Sequence, residues 1–364
     1  LAASAAGQSP LLTKTDLFAA GTNGYKTYRI PGLVATGAGT VLAYCEARRS
    51  GFGDWDDIDI VLRRSTDGGR TWRETQKIAD YGELPANNPA AIADRSGTIH
   101  LLHCVNYARC YYLRSTDQGA NWSRPVEITD VFERYRPEYN WNVIATGPGH
   151  GIQLASGRLV MPVWLSTGGR KHRPSLVSVI YSDDHGASWQ RGEILGRELV
   201  NPSETEAVEL ADGGVMLNMR TENIQRRRFL SISANGATGW SQPAPADDLL
   251  EPVCMGSMLR WPAGSAPPTL ILFSNPNHLG ASPSTGAKGI SSDRVDLTVH
   301  ASRDQGRSWP ISKLLESGPS GYSDLAATGD GTILCLYERG SRESMYHTRW
   351  LTLARLNTAW LESR

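Results

Sequence analysis

The 364-residue chain carries no surplus of either charge: 37 lysines and arginines balance 37 aspartates and glutamates. That excludes a general binder of nucleic acid or anionic membranes, while leaving room for a local basic pocket. No apolar run approaches the roughly 18 residues that a membrane span requires. Cysteine is scarce: Cys45, Cys104, Cys110, Cys254 and Cys335. An odd count without C-x-x-C spacing gives neither a zinc site nor a disulfide framework. Cys45 and Cys335 lie in apolar, strand-like runs and read as buried thiols; Cys104 and Cys110 are close enough in sequence to pair. The eight histidines are scattered without ligand spacing, and His150, in Gly147-Pro148-Gly149-His150-Gly151, reads as a turn residue. Linkers, low-complexity segments and a second compositional zone are all missing. The expected organisation is therefore one domain over 1–364, with 1–12 as a flexible N-terminal segment. The small residues Leu1 to Ala6 resemble the end of a signal peptide, so a secreted or periplasmic location is expected.

Glycine (37), proline (20), tyrosine (13) and tryptophan (11) are plentiful. Such a composition suits many short strands joined by tight turns. A pattern Ser-x-Asp-x-Gly-x-(Ser/Thr/Asn)-Trp occurs four times, at Ser65–Trp72, Ser115–Trp122, Ser182–Trp189 and Ser302–Trp309; a decayed copy runs from Ser233 to Trp240 with Asn235 in the aspartate position. Physically this is a hairpin turn. The aspartate caps backbone N–H groups, the glycine takes a positive φ, and the tryptophan folds the turn back onto its sheet. Copies start 50 to 69 residues apart, each after a strand-like run. That period suits one four-stranded antiparallel blade per repeat, hence an all-β propeller; a β-helix repeats faster and a sandwich does not repeat its turn. The aspartates of these turns read as structural.

These boxes, with Tyr28-Arg29-Ile30-Pro31 just upstream of the first, resemble the sialidase (neuraminidase) family from about Tyr25 to Arg349. The resemblance implies a six-bladed β-propeller of four-stranded antiparallel blades with Asp-box turns. It also implies an exo-α-sialidase that removes terminal sialic acids from glycoconjugates.

A sialic acid carries a carboxylate on its anomeric carbon. Arginine, planar and permanently charged, holds such a group best. The family's three arginines match Arg29, Arg220 (in Leu217-Asn218-Met219-Arg220) and Arg294 (in Asp293-Arg294-Val295-Asp296-Leu297). Other arginines, including the run Arg226-Arg227-Arg228, read as solvated surface groups. A carboxylate nucleophile would be repelled by the substrate's own carboxylate, and sialidases use tyrosine instead. The match is Tyr322, in Ser320-Gly321-Tyr322-Ser323-Asp324. A phenol with a pKa of about 10 needs a base beside it. Glu204 to Leu210 and Val215 to Arg220, joined by Asp212-Gly213, read as a hairpin whose open end brings Glu204 close to Arg220. Glu204 is favoured as that base, with Glu206 as competitor. For the general acid, Asp54 in the loop Arg49-Ser50-Gly51-Phe52-Gly53-Asp54-Trp55-Asp56-Asp57 matches the family's acid loop, with Asp56 and Asp57 as rivals.

Glu46 and Arg48 alternate onto one strand face, opposite Cys45. Arg48 resembles a further arginine near acid loop and substrate, and Glu338 resembles the glutamate that orients the first arginine. Asn88, in Asn87-Asn88-Pro89, matches an element beside the pocket for the C5 substituent. Asn87, a polar choice there, raises the alternative of a C5-hydroxyl sugar (deaminated sialic acid) or a shorter ulosonic acid. Transfer rather than hydrolysis would need an aromatic acceptor platform, for which Trp55 or the Tyr139/Trp141 stretch could serve. A non-catalytic sugar-binding propeller is the remaining rival. The implied mechanism is double displacement with retention, needing no metal, nucleotide or redox cofactor; the implied partners are sialylated glycans or related ulosonic-acid glycosides.

Overall fold

The structure, a computed structural model, describes residues 9–261, 270–280, 294–340 and 347–363. Leu1 to Ala6 and Asp293, noted in the sequence, lie outside them. Among the described residues the strands form five sheets. The first contains Thr27–Ala35, Val41–Arg48, Ile58–Ser65 and Gln76–Ala79. The second contains Ala86–Ala93, Ile99–Val105, Arg109–Ser115 and Val126–Glu127, with Gly149–His150 added in parallel to its inner edge. The third packs Val143–Thr146 and Ile152–Gln153 against Leu159–Ser166, followed by Ser175–Ser182 and Gln190–Arg191. Thr205–Glu209, Val215–Met219, Arg227–Ser233 and Ala244–Leu250 make the fourth.

The fifth sheet has seven strands, because one 17-residue strand, Ile311–Ala327, runs through it. The first part of that strand pairs with Val295–Ser302 and the last part with Ile333–Arg339. The two halves also fold onto each other: Leu272, Leu297 and Val299 of one half share an apolar cluster with Ile333, Cys335 and Ala354 of the other. Leu12–Ala19 closes the outer edge against Trp350–Leu356. Residues 9–12 were expected to be part of a flexible segment. Instead the Leu11 amide donates to Asn357 Oδ1 at 3.0 Å, and Asn357 Nδ2 donates to the Ser9 carbonyl at 2.9 Å.

Each of the four boxes makes the same bonds. In the first, the Gly69 amide donates to Ser65 Oγ at 2.9 Å, and the Thr71 amide and hydroxyl donate to the two Asp67 oxygens at 2.9 and 2.6 Å. Asn235 keeps part of this in the decayed copy, accepting from the Thr238 amide at 2.9 Å. The glycine also decides how sheets pack. A Cβ on Gly119, which has φ +80°, would lie 2.8 Å from Leu42 of the first sheet. The third-sheet box presses in the same way on Tyr112 of the second, and the box after Val295–Ser302 presses on Met216 of the fourth. Gly69 in turn meets Leu353 and Leu334 of the seven-stranded sheet. Each box is thus a spacer that seats one sheet on the preceding one. Emptying such a contact, as in Leu42→Ala, costs about 2–5 kcal/mol. After Trp350–Leu356 the short helix Thr358–Glu362 stands where a further box would be.

The five cysteines are buried free thiols, with Cys104 and Cys110 directly opposite each other on adjacent strands. Two readings of the sequence need correction. Arg228 is not a surface arginine: it is fully buried, with Nη1 donating to Glu251 at 2.7 Å and Nε to Asn218 Oδ1 at 2.6 Å. His150 is not a turn residue but a buried strand residue, with Nδ1 2.7 Å from Asp324 Oδ1. No helix among the described residues is long and apolar enough to cross a membrane.

Candidate active site

The ends of the sheets deliver side chains to a common cavity of about 270 Å³. Arg29 and Ile30 enter from Thr27–Ala35, Asn88 from Ala86–Ala93, and Glu204 and Arg220 flank the open end of the Thr205–Glu209/Val215–Met219 hairpin. Arg294 precedes Val295–Ser302, and Tyr322 rises from the irregular pairing between Ser320 and Ser323 in the long strand. Asp54 comes from the loop between Val41–Arg48 and Ile58–Ser65. Around this cavity Ile30, Asn88, Asn201 and Val253 all have positive φ. For the β-branched Ile30 and Val253 this is uncommon backbone, of the kind that concentrates at functional sites.

At the floor, the Tyr322 hydroxyl donates to Glu204 Oε1 at 2.5 Å and accepts from Arg220 Nη1 at 2.8 Å. Arg220 is also ion-paired with Glu204 Oε2. Burial would raise the Glu204 pKa, but the Arg220 charge and the Tyr322 hydrogen bond outweigh it and hold the carboxyl below its usual range. Burial pushes the Tyr322 phenol well up, against the pull of Arg220. The proton therefore rests on the tyrosine and the charge on the glutamate. The Arg29 and Arg294 guanidinium carbons lie 5.4 and 5.0 Å from the Tyr322 ring centre, so three arginines surround one phenol.

Glu338 stands behind this group. It accepts from Arg29 Nε at 3.1 Å, from the Ile30 amide at 3.1 Å and from the Tyr322 amide at 3.2 Å, tying the first arginine to the tyrosine. Arg294 Nη2 donates to the Val253 carbonyl at 2.9 Å.

Across the cavity, Arg48 Nη2 donates to Asp54 Oδ1 at 2.8 Å and to Glu46 Oε2 at 2.6 Å. Burial would raise the Asp54 pKa; the charge of Arg48, then those of His172 and Arg29, leave it lowered instead. Arg48, expected near substrate, is fully buried and does not line the cavity; neither does Glu338. Asp56 and Asp57 turn away: Asp56 accepts from the Gly53 amide and Asp57 pairs with Arg49. Glu206 points into the fold, 3.6 Å from His150, and is likewise absent from the lining. Asn88 accepts from the Tyr107 hydroxyl at 3.2 Å, and its amide donates to Glu46 Oε1 at 2.9 Å. Asn87 does not face the pocket; its side chain donates to the Asp54 carbonyl at 2.9 Å. Of the suggested acceptor platforms, Trp141 is buried with Nε1 bound to the Phe132 carbonyl, and Tyr139 donates to the Pro174 carbonyl.

The lining also contains residues the sequence did not single out: Tyr107, Trp164, His172 and Arg173, with Ser203 and Glu222 at the rim. Trp164 lies within the strand Leu159–Ser166, whereas Tyr107, His172, Arg173 and Glu222 lie in loops that follow strands, a position that is their only sequence signal. His172 and Arg173 lie in the stretch Gly168-Gly169-Arg170-Lys171-His172-Arg173-Pro174.

Residues 39–335 match the family model of a BNR repeat-like domain. A sialidase of Micromonospora viridifaciens is 33% identical over 387 residues, covering 98% of this chain and 55% of that protein, so the chain spans about half the length of this relative. Sialidase-3 of Bos taurus is 30% identical and covers 87% of each protein. Among solved structures, the Hadza microbial sialidase Hz136 superposes with a TM-score of 0.76 at 29% identity, over 93% of this chain and 67% of that one. With a repeat model over residues 39–335 and a sialidase 30% identical of which the chain covers 87%, the chain belongs to the sialidase family.

Proposed function

We propose that this chain is a retaining exo-α-sialidase that hydrolyses terminal sialic acids from glycoconjugates through a covalent glycosyl–tyrosine intermediate. The observation that carries this reading is the Tyr322–Glu204 contact of 2.5 Å inside a ring of three arginines. Glu204, ionised, is poised to take the phenolic proton, and the arginines offer the charge a substrate carboxylate needs. Arg29, Arg220 and Arg294 hold the carboxylate. Asp54 protonates the departing glycosidic oxygen while the Tyr322 oxygen attacks the anomeric carbon, its proton passing to Glu204 Oε1. Water, losing its proton to Asp54, then cleaves the adduct, and Glu204 returns the proton to Tyr322. Arg48 and Glu338 act from behind, on Asp54 and Arg29.

The fold we propose is a closed six-bladed propeller. Its support is the seven-stranded sheet folding on itself as two blades, and the contact of Gly69 with Leu353 and Leu334, which joins the first sheet to the last. A C5-hydroxyl sugar drew its motive from a polar Asn87 in the pocket. With Asn87 bonded to Asp54 and aromatic Tyr107 and Trp164 in the wall, an N-acetyl group is the better fit. Paired fluorogenic α-ketosides differing only at C5, N-acetyl against hydroxyl, test this alongside Tyr322→Phe. Release from the N-acetyl substrate that is lost in the variant is expected. Release from neither would overturn the sialidase reading; release from the hydroxyl compound alone would move the specificity.

A further inference from the structure

Two loops meet at His172. One, residues 49–57, carries Asp54 and Trp55; the other, residues 167–174, follows Leu159–Ser166 of the third sheet. The imidazole stacks on Trp55 with ring centres 4.7 Å apart and planes 19° from parallel. Trp164 meets it edge-on at 5.4 Å, and Tyr107 packs at 5.2 Å. Three aromatic side chains from three elements thus fix the ring's plane. His172 Nδ1 lies 3.8 Å from Asp54 Oδ2.

The two oxygens of Asp54 are not equivalent. Oδ1 accepts from Arg48 Nη2, and that guanidinium does not give up its charge. The transferable proton of an acid at this position therefore belongs on Oδ2, the oxygen that faces His172. The peptide behind it is held as well, by Asn87 on the Asp54 carbonyl. A contact of 3.8 Å is longer than a hydrogen bond, and catalytic contacts of this kind commonly tighten once substrate fills the site. Burial lowers the His172 pKa, against the opposing charges of Asp54 and Glu204, with Arg220 and Arg173 also facing the ring. A neutral ring can take either end of a hydrogen bond with Oδ2, protonated or not.

We infer that His172 is a positioning residue for the general acid: through Nδ1 it aims Asp54 Oδ2 at the glycosidic oxygen, and through its stack on Trp55 it keeps the acid loop closed. The inference rests on the sialidase reading above and extends it to a residue that acts through Asp54 and lies outside the arginine cluster.

A role in acid catalysis leaves a signature that a structural role does not. A sugar alcohol is a poor leaving group and needs the proton, whereas an activated phenol leaves largely without it. Purified wild type, His172→Phe, His172→Gln and His172→Ala would be compared on sialyllactose and on an aryl α-sialoside. Phe keeps the stack and removes the nitrogens, Gln restores a polar group, and Ala removes both contacts. The expected result is a fall of about tenfold or more in the ratio of kcat/KM for sialyllactose over the aryl substrate in His172→Phe. Partial recovery is expected in His172→Gln, and a raised KM on both substrates in His172→Ala. Equal losses on the two substrates in His172→Phe, or no loss on either, would overturn the inference while leaving the sialidase reading intact. A wild type inactive on both substrates would overturn both.

Discussion

The Tyr322 hydroxyl and the Glu204 carboxylate, 118 residues apart, approach to 2.5 Å, with Arg220 donating to the same phenolic oxygen at 2.8 Å. The glutamate is held ionised by Arg220 and the phenol is held neutral by burial, so a proton has a defined donor and acceptor before any substrate arrives. In the proposed mechanism the arginine that completes the carboxylate clamp also stabilises the phenolate as it forms. That mechanism couples attack and substrate binding through one side chain.

If Tyr322 and Glu204 act as one unit, their removal is not additive. Tyr322→Phe should lower kcat by about a thousandfold or more, and Glu204→Gln by about 10²–10⁴-fold. The double variant should be little worse than Tyr322→Phe alone. Steady-state kinetics of the three variants on one aryl substrate check this; multiplicative losses would mean that the two residues act independently.

The acid and base set the pH response. The proposed mechanism needs Glu204 ionised and Asp54 protonated for kcat/KM, which reports the free enzyme. Both pKa values are lowered, so Glu204 remains a competent base into the acid range, and Asp54 loses its proton as pH rises. The productive form is thus favoured at acid pH: kcat/KM should begin to fall below the ordinary aspartate pKa of about 3.9 and go on falling as pH rises to neutrality. Arg48 supplies the largest of the lowering charges on Asp54. In Arg48→Gln the basic limb should move to higher pH, measured as kcat/KM against pH with folding verified by circular dichroism.

Residues close together in sequence made much of the site legible. The boxes are complete eight-residue units, and the hairpin joining Glu204 to Arg220 can be read from its turn; the structure pairs Thr205 with Met219 as that reading requires. What could not be read was made by neighbouring sheets. His150 finds Asp324 174 residues away, and His172 finds Asp54 only because the third sheet packs beside the second and first. Arg228 looked solvated because its sequence neighbours are arginines, but strand alternation turns it inward onto Glu251. Asn87 was misread for a related reason. Period-two logic does not carry through the irregular pairing between Asn87 and Ala90, so the side chain turned to the acid loop instead of the pocket.

Glu338 has a supporting role with two separable consequences. It bonds Arg29, the Ile30 amide and the Tyr322 amide at once, so Glu338→Ala leaves a buried guanidinium without its carboxylate. Breaking one side of a buried pair costs about 3–5 kcal/mol. Chemical denaturation should show a loss of this order. KM should rise more than kcat falls, because Arg29, part of the proposed substrate clamp, is the group set loose. A stable variant with unchanged KM would show that Arg29 is held by the rest of its surroundings.

Glu206 gives the opposite stability prediction. Both of its oxygens are buried without a hydrogen-bond partner in the structure, next to the His150–Asp324 pair. Burial and the Asp324 charge raise its pKa well above the usual carboxylate value. For an acid whose folded pKa is raised, the folded state binds the proton more tightly than the unfolded one. Stability is then fully present below the unfolded pKa of about 4.5 and is lost as pH rises above it. Glu206→Gln removes the ionisation and keeps the shape. The variant should be more stable than wild type at pH 7, by roughly 1–3 kcal/mol if the carboxyl pays the full cost of an unmet buried group. The gain should shrink as pH falls towards 4.5. Melting temperatures of both proteins across that range measure the difference directly. A gain that does not vary with pH would assign the effect to packing, and a loss at every pH would mean that the carboxylate is itself a needed partner of His150.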